Sequence, residues 1–336
     1  MSDPEAQAES IAADGERLGA RLREGDLSVA PRVLNLVEGD GERDREQTAA
    51  LLRAVAPAAL GGEARAHVVG VTGPPGSGKS SLLSELAAAW RARERSVAVL
   101  AVDPSSRRSG GALLGDRARI AHDPRDQGVF IRSTAAGERL GGLAPATRAG
   151  SAALAAAFDV VVIETVGVGQ SETEVADVAD SVVVVVQPGS GDVLQFLKAG
   201  IMEIPDVLVV TKADLGSVAQ RALRDLEAAL GALGASEVPV LAVSSIAPAM
   251  GIDELIEAID HHRERSDVAA RRLTARRRHA LADFVWEHGA AGLRELGGRR
   301  AAERVLAAQD PGLDVPALAQ ALSAAATGAR DGEVRS

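Results

Sequence analysis

The stretch GVTGPPGSGKSS (residues 70–81) joins the apolar run HVVGVTG (67–73) to the helix-like run SSLLSELAAAWRARE (80–94). It contains the spacing G-x-x-x-x-G-K-[ST], with Lys79 and Ser80 at its end. Between a strand and a helix, the glycines of such a loop let backbone N–H groups converge on phosphate oxygens, and the helix N-terminus adds partial positive charge. Lys79 would reach the β- and γ-phosphates, and the Ser80 hydroxyl would ligate Mg²⁺. The stretch therefore predicts a P-loop that holds a nucleoside triphosphate.

The composition indicates a globular protein and excludes several chemistries. The 336 residues are 46% hydrophobic, and the net charge of −10 argues against a nucleic-acid surface spread over the molecule. The chain has no Cys, which excludes disulfides, Cys-ligated zinc, iron–sulfur clusters and thiol catalysis. The start MSDPEAQAES lacks the basic and apolar regions of a signal peptide, and the longest apolar runs are too short to span a bilayer. The expected location is the cytoplasm, with no membrane partner.

Short apolar runs alternate with helix-like stretches in the middle of the chain. The runs are apolar throughout, as expected for strands buried on both faces. This alternation predicts an α/β fold with a doubly wound, mostly parallel sheet, and the ligand of such a sheet lies at the carboxyl ends of its strands. The predicted strands are 67–73, 96–103, 159–165, 180–188, 206–214 and 238–245, and the helix-like stretches include 80–94, 220–233 and 251–265.

Helical patterns flank this region on both sides. The predicted organisation is an N-terminal helical extension (1–65), a P-loop domain (66–262) and a C-terminal helical arm (263–336) whose tail, GARDGEVRS, is disordered. The segment RERSDVAARRLTARRR (263–278) holds seven Arg without interleaved aromatic residues. A solvated helix face or linker is favoured over nucleic-acid binding there. A helix that contacts a partner stays open.

The run TKAD (211–214) ends a predicted strand with a base-reading pattern. An Asp at position 214 can accept hydrogen bonds from the ring nitrogens N1 and N2 of guanine, while the stem of Lys212 packs on the base. GTPases usually have Asn where this chain has Thr211. Inside a P-loop domain the pattern favours GTP over ATP, and the run VSS (243–245), with Ser244 and Ser245, suits the loop that closes over the base.

Acidic residues end or follow other predicted strands. Glu164 ends one strand and can bind Mg²⁺ directly or through water, and Gly167 suits a switch whose N–H meets the γ-phosphate. Asp103 ends the second strand, and Asp116 lies in the glycine-flanked loop that follows it. A strand-end surface acid is the alternative for Glu164, and an ordinary loop acid for Asp116. Lys198, one of only three Lys in the chain, lies in a glycine-rich stretch that could be a plain connection.

Several motifs occur in an order that resembles one family of P-loop GTPases. They are GPPGSGKSSL, VDPSS, GGALLGD, ETVGVGQSE, KAGIMEI, KAD and GIDEL. Together they resemble the MeaB/ArgK family, which includes the methylmalonic aciduria type A protein. The resemblance is dense from about residue 67 to 260 and looser in the N-terminal helices.

The resemblance implies a homodimeric GTPase of the SIMIBI class, which includes signal recognition particle and hydrogenase-maturation GTPases. Members are chaperones of adenosylcobalamin-dependent acyl-CoA mutases, chiefly methylmalonyl-CoA mutase, and use GTP/GDP and Mg²⁺ to gate cofactor loading, protection and reactivation. The resemblance also implies metal and catalytic roles for Asp103, Asp116 and Glu164. It further implies switch segments at 104–119, 165–175 and 188–199. The nucleotide-binding residues predicted from motif and resemblance are Gly73, Pro75, Gly76, Ser77, Gly78, Lys79, Ser80, Ser81, Gly167, Thr211, Lys212, Asp214, Ser244 and Ser245.

Departures from the family pattern leave the partner open. They include Thr211 in place of Asn, Arg117 in place of Lys, and Phe196 where a small residue is common. Relatives that serve isobutyryl-, ethylmalonyl- or 2-hydroxyisobutyryl-CoA mutases share the core motifs. Further alternatives are a kinase or ATPase of a transport system and a GTP-binding scaffold without hydrolysis. A signal-recognition GTPase would carry DTAGR instead of ETVGVG, and a nickel-insertion GTPase would need a Cys- or His-rich metal site.

Overall fold

The protein is built around a parallel β-sheet. The computed structural model describes residues 4–103, 120–135, 143–165, 175–189 and 205–333. Within these ranges seven strands form one sheet in the order β3-β2-β4-β1-β5-β6-β7, and every pairing is parallel. The strands are β1 His67–Thr72, β2 Val97–Asp103, β3 Val129–Ala135, β4 Val160–Thr165, β5 Ser181–Val186, β6 Val207–Val210 and β7 Val240–Ala242.

Helices precede, connect and follow the strands. The α-helices of the described ranges are α1 Pro4–Arg23, α2 Ala30–Val37, α3 Glu42–Ala54, α4 Pro57–Leu60, α5 Lys79–Ala92, α6 Pro145–Leu154, α7 Ser217–Ala232, α8 Ile252–Arg265, α9 Val268–Glu295, α10 Arg299–Ala307 and α11 Val315–Glu333. The backbone of α9 is broken at Gly289, which has non-helical angles. The α/β architecture with helical extensions is the fold that the sequence predicts.

The apolar core of the sheet region fills the space between strands and helices. Val69 and Val71 of β1 belong to one buried cluster with side chains of α5 and α8, among them Leu82, Leu86, Trp90, Leu255, Ile256 and Ile259. Strands β1, β4, β5 and β6 are buried along their whole length, so their other face is covered as well. Burial on both faces explains why these strands read as continuous apolar runs.

Three aspartates fix the sheet at the edge where the strands begin. Asp159, Asp180 and Asp206 each precede a strand and accept a backbone N–H at or near the start of the neighbouring strand, at 2.8–2.9 Å. A carboxylate that accepts such a bond satisfies a backbone N–H that has no partner in the hydrogen-bond ladder of the sheet. The opposite edge, where β1 and β4–β6 end, carries the predicted site residues.

The chain divides into two compact units. Ala66–Asp267 form the sheet unit, and the segments up to Arg65 and from Val268 together form a helical unit. In the helical unit α1 packs on α3, and α9 packs on α11 around a core that includes Phe284, Leu306 and Leu322. The N- and C-terminal helices therefore share one unit, which their separation in sequence does not indicate.

Arginines of the Arg-rich segment make internal contacts in the helical unit. Arg276 binds Glu63 through two hydrogen bonds of 2.8 and 3.0 Å, and Arg272 donates to the carbonyl of Ala64 at 2.7 Å. The side chains of Arg272 and Arg276 are only 12% and 15% exposed. These two arginines join the C-terminal helices to the end of the N-terminal segment, so the prediction of a solvated face is wrong for them.

Two elements differ from those expected from sequence. Val129–Ala135 forms β3, an edge strand that is absent from the predicted set. Only two of its residues with described burial, Ile131 and Thr134, are buried, so no long apolar run marks the strand in the sequence. Helix α11 continues to Glu333, where the sequence predicts a disordered tail from residue 328. The Ala-rich run before that position favours continuation of the helix.

Candidate nucleotide-binding site

The P-loop connects β1, the central strand of the seven-stranded sheet, to α5. Gly73 has φ of +146°, and a Cβ on it would lie 2.1 Å from the carbonyl oxygen of Val185, so only glycine fits between the loop and β5. Gly78 has φ of +92° and is the N-cap of α5. These two glycines let the chain turn tightly from strand to helix, which directs the first N–H groups of α5 toward the loop. Pro75, Gly76 and Ser77 complete the turn between them.

The ammonium group of Lys79 folds back over the loop. Its Nζ donates to the carbonyl oxygens of Gly73 at 2.7 Å and Pro74 at 3.1 Å, and the side chain is buried. Because these acceptors belong to the loop that precedes α5, the charge is held above the turn. The ammonium group thus lies beside the loop that is predicted to bind phosphate, and its role toward phosphate stays a prediction from sequence.

Ser80 and Glu164 bring two oxygen donors together beside the P-loop. Ser80 Oγ donates to Glu164 Oε1 at 3.4 Å, and Glu164 is only 2% exposed. Glu164 pairs with Val71 because β4 lies beside β1 in the sheet. Oxygen ligands of this kind are those that Mg²⁺ prefers, so the two side chains fit a magnesium site. Ser81 follows in the first turn of α5.

The remaining predicted metal and switch residues are described only in part or not at all. The backbone of Asp103 ends β2, the strand next to β4, while its side chain lies outside the described residues. Asp116, Gly167 and Lys198 also lie outside the described residues, as do most of the three predicted switches. Their roles stay predictions from sequence.

Thr211 ties the base-reading run to the P-loop. Its Oγ1 lies 2.6 Å from the carbonyl oxygen of Ser77 and 3.1 Å from that of Val186, and the residue is only 4% exposed. A hydroxyl in this position satisfies a P-loop carbonyl from the end of β6. The departure from Asn therefore leaves a polar contact between the two loops in place.

Lys212 lies on the same side and also contacts the P-loop. Its Nζ is 3.3 Å from the carbonyl oxygen of Gly76 and 2.5 Å from Oε1 of Gln187. Gln187 is missing from the residues predicted from sequence. The available signal was its place directly after the apolar run of β5, at the carboxyl edge where ligands of such sheets lie.

Asp214 is held by the loop that follows β7. Ser244 Oγ donates to Asp214 Oδ1 at 2.7 Å, and Ala213 N–H donates to the carbonyl of Val243 at 3.0 Å. Ser245 follows in the same loop and is half-buried. The run at 211–214 and the run at 243–245 therefore form one rim, next to the P-loop, as expected for a base pocket.

Two features are absent from the described ranges. No helix there is both long and apolar enough to cross a membrane. No group of three or more His, Cys, Asp or Glu side chains there is arranged to hold a metal ion.

The sequence of the chain matches the model of one protein family. The family model described as methylmalonyl-CoA mutase-associated GTPase MeaB matches residues 30–295. The chain belongs to the MeaB family. It is therefore a GTPase, and the MeaB family implies that it binds guanine nucleotide.

Individual relatives cover different shares of the chain. A probable GTPase of Mycobacterium tuberculosis is 40% identical over 277 residues, which is 80% of this chain and 81% of that protein. The mitochondrial methylmalonic aciduria type A homolog of Mus musculus is 38% identical over 209 residues, 59% of this chain and 50% of the mouse protein. A solved structure of a LAO/AO transport system kinase has a TM-score of 0.62 at 28% identity and covers 94% of this chain and 97% of its own.

Proposed function

We propose that this MeaB-family GTPase is a chaperone of an adenosylcobalamin-dependent acyl-CoA mutase, with methylmalonyl-CoA mutase as the first candidate. GTP binding and hydrolysis would gate cobalamin loading and help protect or reactivate the mutase. The family description names a methylmalonyl-CoA mutase, and the mouse relative is a methylmalonic aciduria type A homolog. Both support this choice of partner.

One structural observation carries the nucleotide part of the proposal. Thr211 bonds the carbonyl of Ser77 at 2.6 Å and so joins the P-loop to the run that ends in Asp214. The elements that are proposed to bind phosphate and to read the base thus lie side by side at the carboxyl edge of one sheet. A guanosine nucleotide has its phosphates and its base at opposite ends, and this arrangement fits both.

The residues of the chain suggest how GTP is hydrolysed. Water attacks the γ-phosphorus in line while its bond to the β–γ bridging oxygen breaks, so that GDP, inorganic phosphate and a proton are released. Lys79 with the P-loop amides stabilises charge on the transferred group. Mg²⁺, when bound at Ser80 and Glu164, supplies charge neutralisation at the phosphate oxygens. The sequence shows no evident catalytic glutamine or arginine finger. Intrinsic turnover is therefore expected to be slow, and a partner that orders the switches should raise it.

Partner identity can be tested by turnover and co-purification. The chain is mixed, with GTP present, with methylmalonyl-, isobutyryl-, ethylmalonyl- and 2-hydroxyisobutyryl-CoA mutases in separate reactions. The cognate mutase is expected to co-purify with it and to raise the rate of phosphate release. Equal turnover with and without every mutase would contradict the gating role, and absence of guanine-nucleotide binding by calorimetry would contradict the nucleotide site.

The homodimer is part of the same proposal. The C-terminal arm from residue 263 is proposed as its dimerisation segment, on the resemblance to the family alone. Sedimentation of the full chain and of full-length Trp286→Glu, which places a charge at an exposed apolar side chain of the arm, tests it. A dimeric wild type and a monomeric variant are the expected results. A variant that stays dimeric would contradict a dimer contact at this face of the arm, and a wild type that is monomeric would contradict the homodimer.

A transport-system kinase is the second candidate, because the solved structure that covers 94% of this chain carries that description. A kinase would transfer the labelled γ-phosphate of a nucleotide to protein. The GTPase proposal predicts that all label is released as free phosphate.

A further inference from the structure

We propose that Gln187 is a positioning residue that holds the side chain of Lys212 beside the P-loop and so prolongs the lifetime of bound guanine nucleotide. The inference rests on the proposed nucleotide site. It concerns a residue that the motifs do not include.

Within the part of the chain that the structure describes, two contacts hold the ammonium group of Lys212, and the contact to Gln187 is the shorter one. Lys212 Nζ lies 2.5 Å from Gln187 Oε1 and 3.3 Å from the carbonyl oxygen of Gly76. Hydrogen bonds from an ionised donor are shorter and stronger than bonds between neutral groups. The amide of Gln187 is therefore the closer acceptor, and the P-loop carbonyl is the second.

The sheet places the two residues next to each other. Gln187 directly follows Val186, the last residue of β5, which pairs in register with Val210 of β6. The N–H of Thr211 donates to the carbonyl of Val186 at 2.9 Å, so the pairing continues past the end of β6. Gln187 and Lys212 thus leave the sheet from neighbouring strands, and buried strands fix their separation.

The side chain of Lys212 depends on contacts of this kind to be ordered. It is exposed, and its backbone has φ of +56° and ψ of +42°, a left-handed conformation that non-glycine residues seldom adopt. Its long side chain has many rotamers, and ordering it costs conformational entropy. The two acceptors, Gln187 Oε1 and the carbonyl oxygen of Gly76, restrict the rotamers that this side chain can adopt.

The consequence falls on nucleotide release. In the proposed site the stem of Lys212 packs on the guanine, and a stem already ordered in the free protein loses less entropy when the base binds. Among the described residues, loss of Gln187 leaves the ammonium group with the longer contact to Gly76. GDP is then expected to dissociate about 3- to 10-fold faster, which lies within the net contribution of a typical hydrogen bond at an exposed site.

The test compares three variants of the full chain by stopped-flow release of fluorescent mant-GDP with Mg²⁺ present. Gln187→Ala removes the acceptor and should accelerate release by about 3- to 10-fold. Gln187→Glu keeps an oxygen that accepts from the ammonium group and should stay within about twofold of the wild-type rate. Gln220→Ala, at an exposed position of α7, is the matched control and should match the wild type.

Two further measurements separate positioning from structural damage. The affinity for inorganic tripolyphosphate, which has no base, should be the same in Gln187→Ala as in the wild type. The KM for GTP should rise in Gln187→Ala more than kcat falls. Weaker binding of tripolyphosphate would show a distorted P-loop and overturn the inference.

The outcomes distinguish this inference from the function on which it rests. Wild-type protein that binds mant-GDP, together with equal release rates for Gln187→Ala and wild type, overturns the positioning role alone. Wild-type protein that binds no guanine nucleotide overturns the proposed function and the positioning role with it.

Discussion

Ser244 holds Asp214 from the neighbouring loop: its Oγ donates to Oδ1 of the aspartate at 2.7 Å. The two residues come from loops that follow β6 and β7, so the contact joins the ends of two adjacent strands. A carboxylate held on one oxygen has its other lone pairs in a defined direction. The serine therefore orients the group that is proposed to read guanine.

Asp214→Asn is expected to change base preference. An amide donates where the carboxylate accepts, so it opposes the N–H groups of guanine and suits the additional ring carbonyl of xanthine. GTP affinity should fall roughly 100-fold while XTP affinity rises, because a site built for one hydrogen-bonding pattern rejects the other. Calorimetry with both nucleotides is the measurement. Asp225→Asn, at an exposed position of α7, is the control, and equal loss of both nucleotides in Asp214→Asn would contradict base reading.

Thr211→Val tests the link between the run at 211–214 and the P-loop. The substitution keeps the shape but removes the hydroxyl beside the carbonyl of Ser77, and an unsatisfied buried carbonyl costs about 1–3 kcal/mol. GTP affinity should fall about 10-fold. Thr211→Ser keeps the hydroxyl and should bind nearly as well as wild type. Equal affinity of the valine variant and the wild type would remove the bracing role.

Lys79→Ala should abolish GTP turnover. The ammonium group is proposed to stabilise charge on the γ-phosphate, and loss of one such group reduces rates by roughly 100- to 1,000-fold. Lys79→Arg keeps the charge but spreads it over a planar fork that does not match a point-charge site, so it should not rescue activity. Phosphate release at saturating GTP measures both variants. Retained turnover in Lys79→Ala would refute the P-loop assignment.

Glu164→Gln should weaken the response to magnesium. It keeps the size and the oxygen near Ser80 but removes the negative charge, so the Mg²⁺ concentration for half-maximal turnover should rise about 10-fold or more. Titration of turnover with Mg²⁺ is the measurement. An unchanged midpoint would indicate that Glu164 is a strand-end acid without a metal role.

Protein stability should depend on His67 below neutral pH. His67 Nε2 lies 2.8 Å from Ser181 Oγ, which in turn lies 2.7 Å from His262 Nδ1. Burial lowers the pKa of His67, despite a side-chain contact with Asp260 and the charge of Asp180, which act in the opposite direction. The unfolded chain therefore takes up a proton before the folded chain does.

The sign of the pH effect follows from that difference. The contribution of His67 is complete above the pKa of an unfolded histidine, about 6.5, and is lost as the pH falls toward its lower folded value. Urea unfolding at several pH values below 8 should show this loss in the wild type. His67→Gln should be less stable at every pH but should lose less on acidification. Parallel pH profiles for the two proteins would contradict the assignment to His67.

The P-loop, the acid of β4 and the run at 211–214 could be predicted from sequence because each lies at the end of a buried apolar run. Such a run indicates a strand, and parallel strands bring their carboxyl ends to one edge. β3 could not be predicted in this way, because an edge strand buries only part of its residues. Gln187 was missed for another reason: its role depends on a lysine 25 positions further along the chain.

Local sequence by itself determined the class of sheet, the turn at Gly73 and Gly78, and the residue types that are proposed to bind a phosphate and a guanine base. These depend on backbone freedom and side-chain chemistry, which are properties of short segments. Only the tertiary structure decided that Thr211 meets the carbonyl of Ser77, that Gln187 meets Lys212, and that the N- and C-terminal helices share one unit. Such contacts depend on strand order and on packing between distant segments, and a sequence pattern does not encode which distant residues become neighbours.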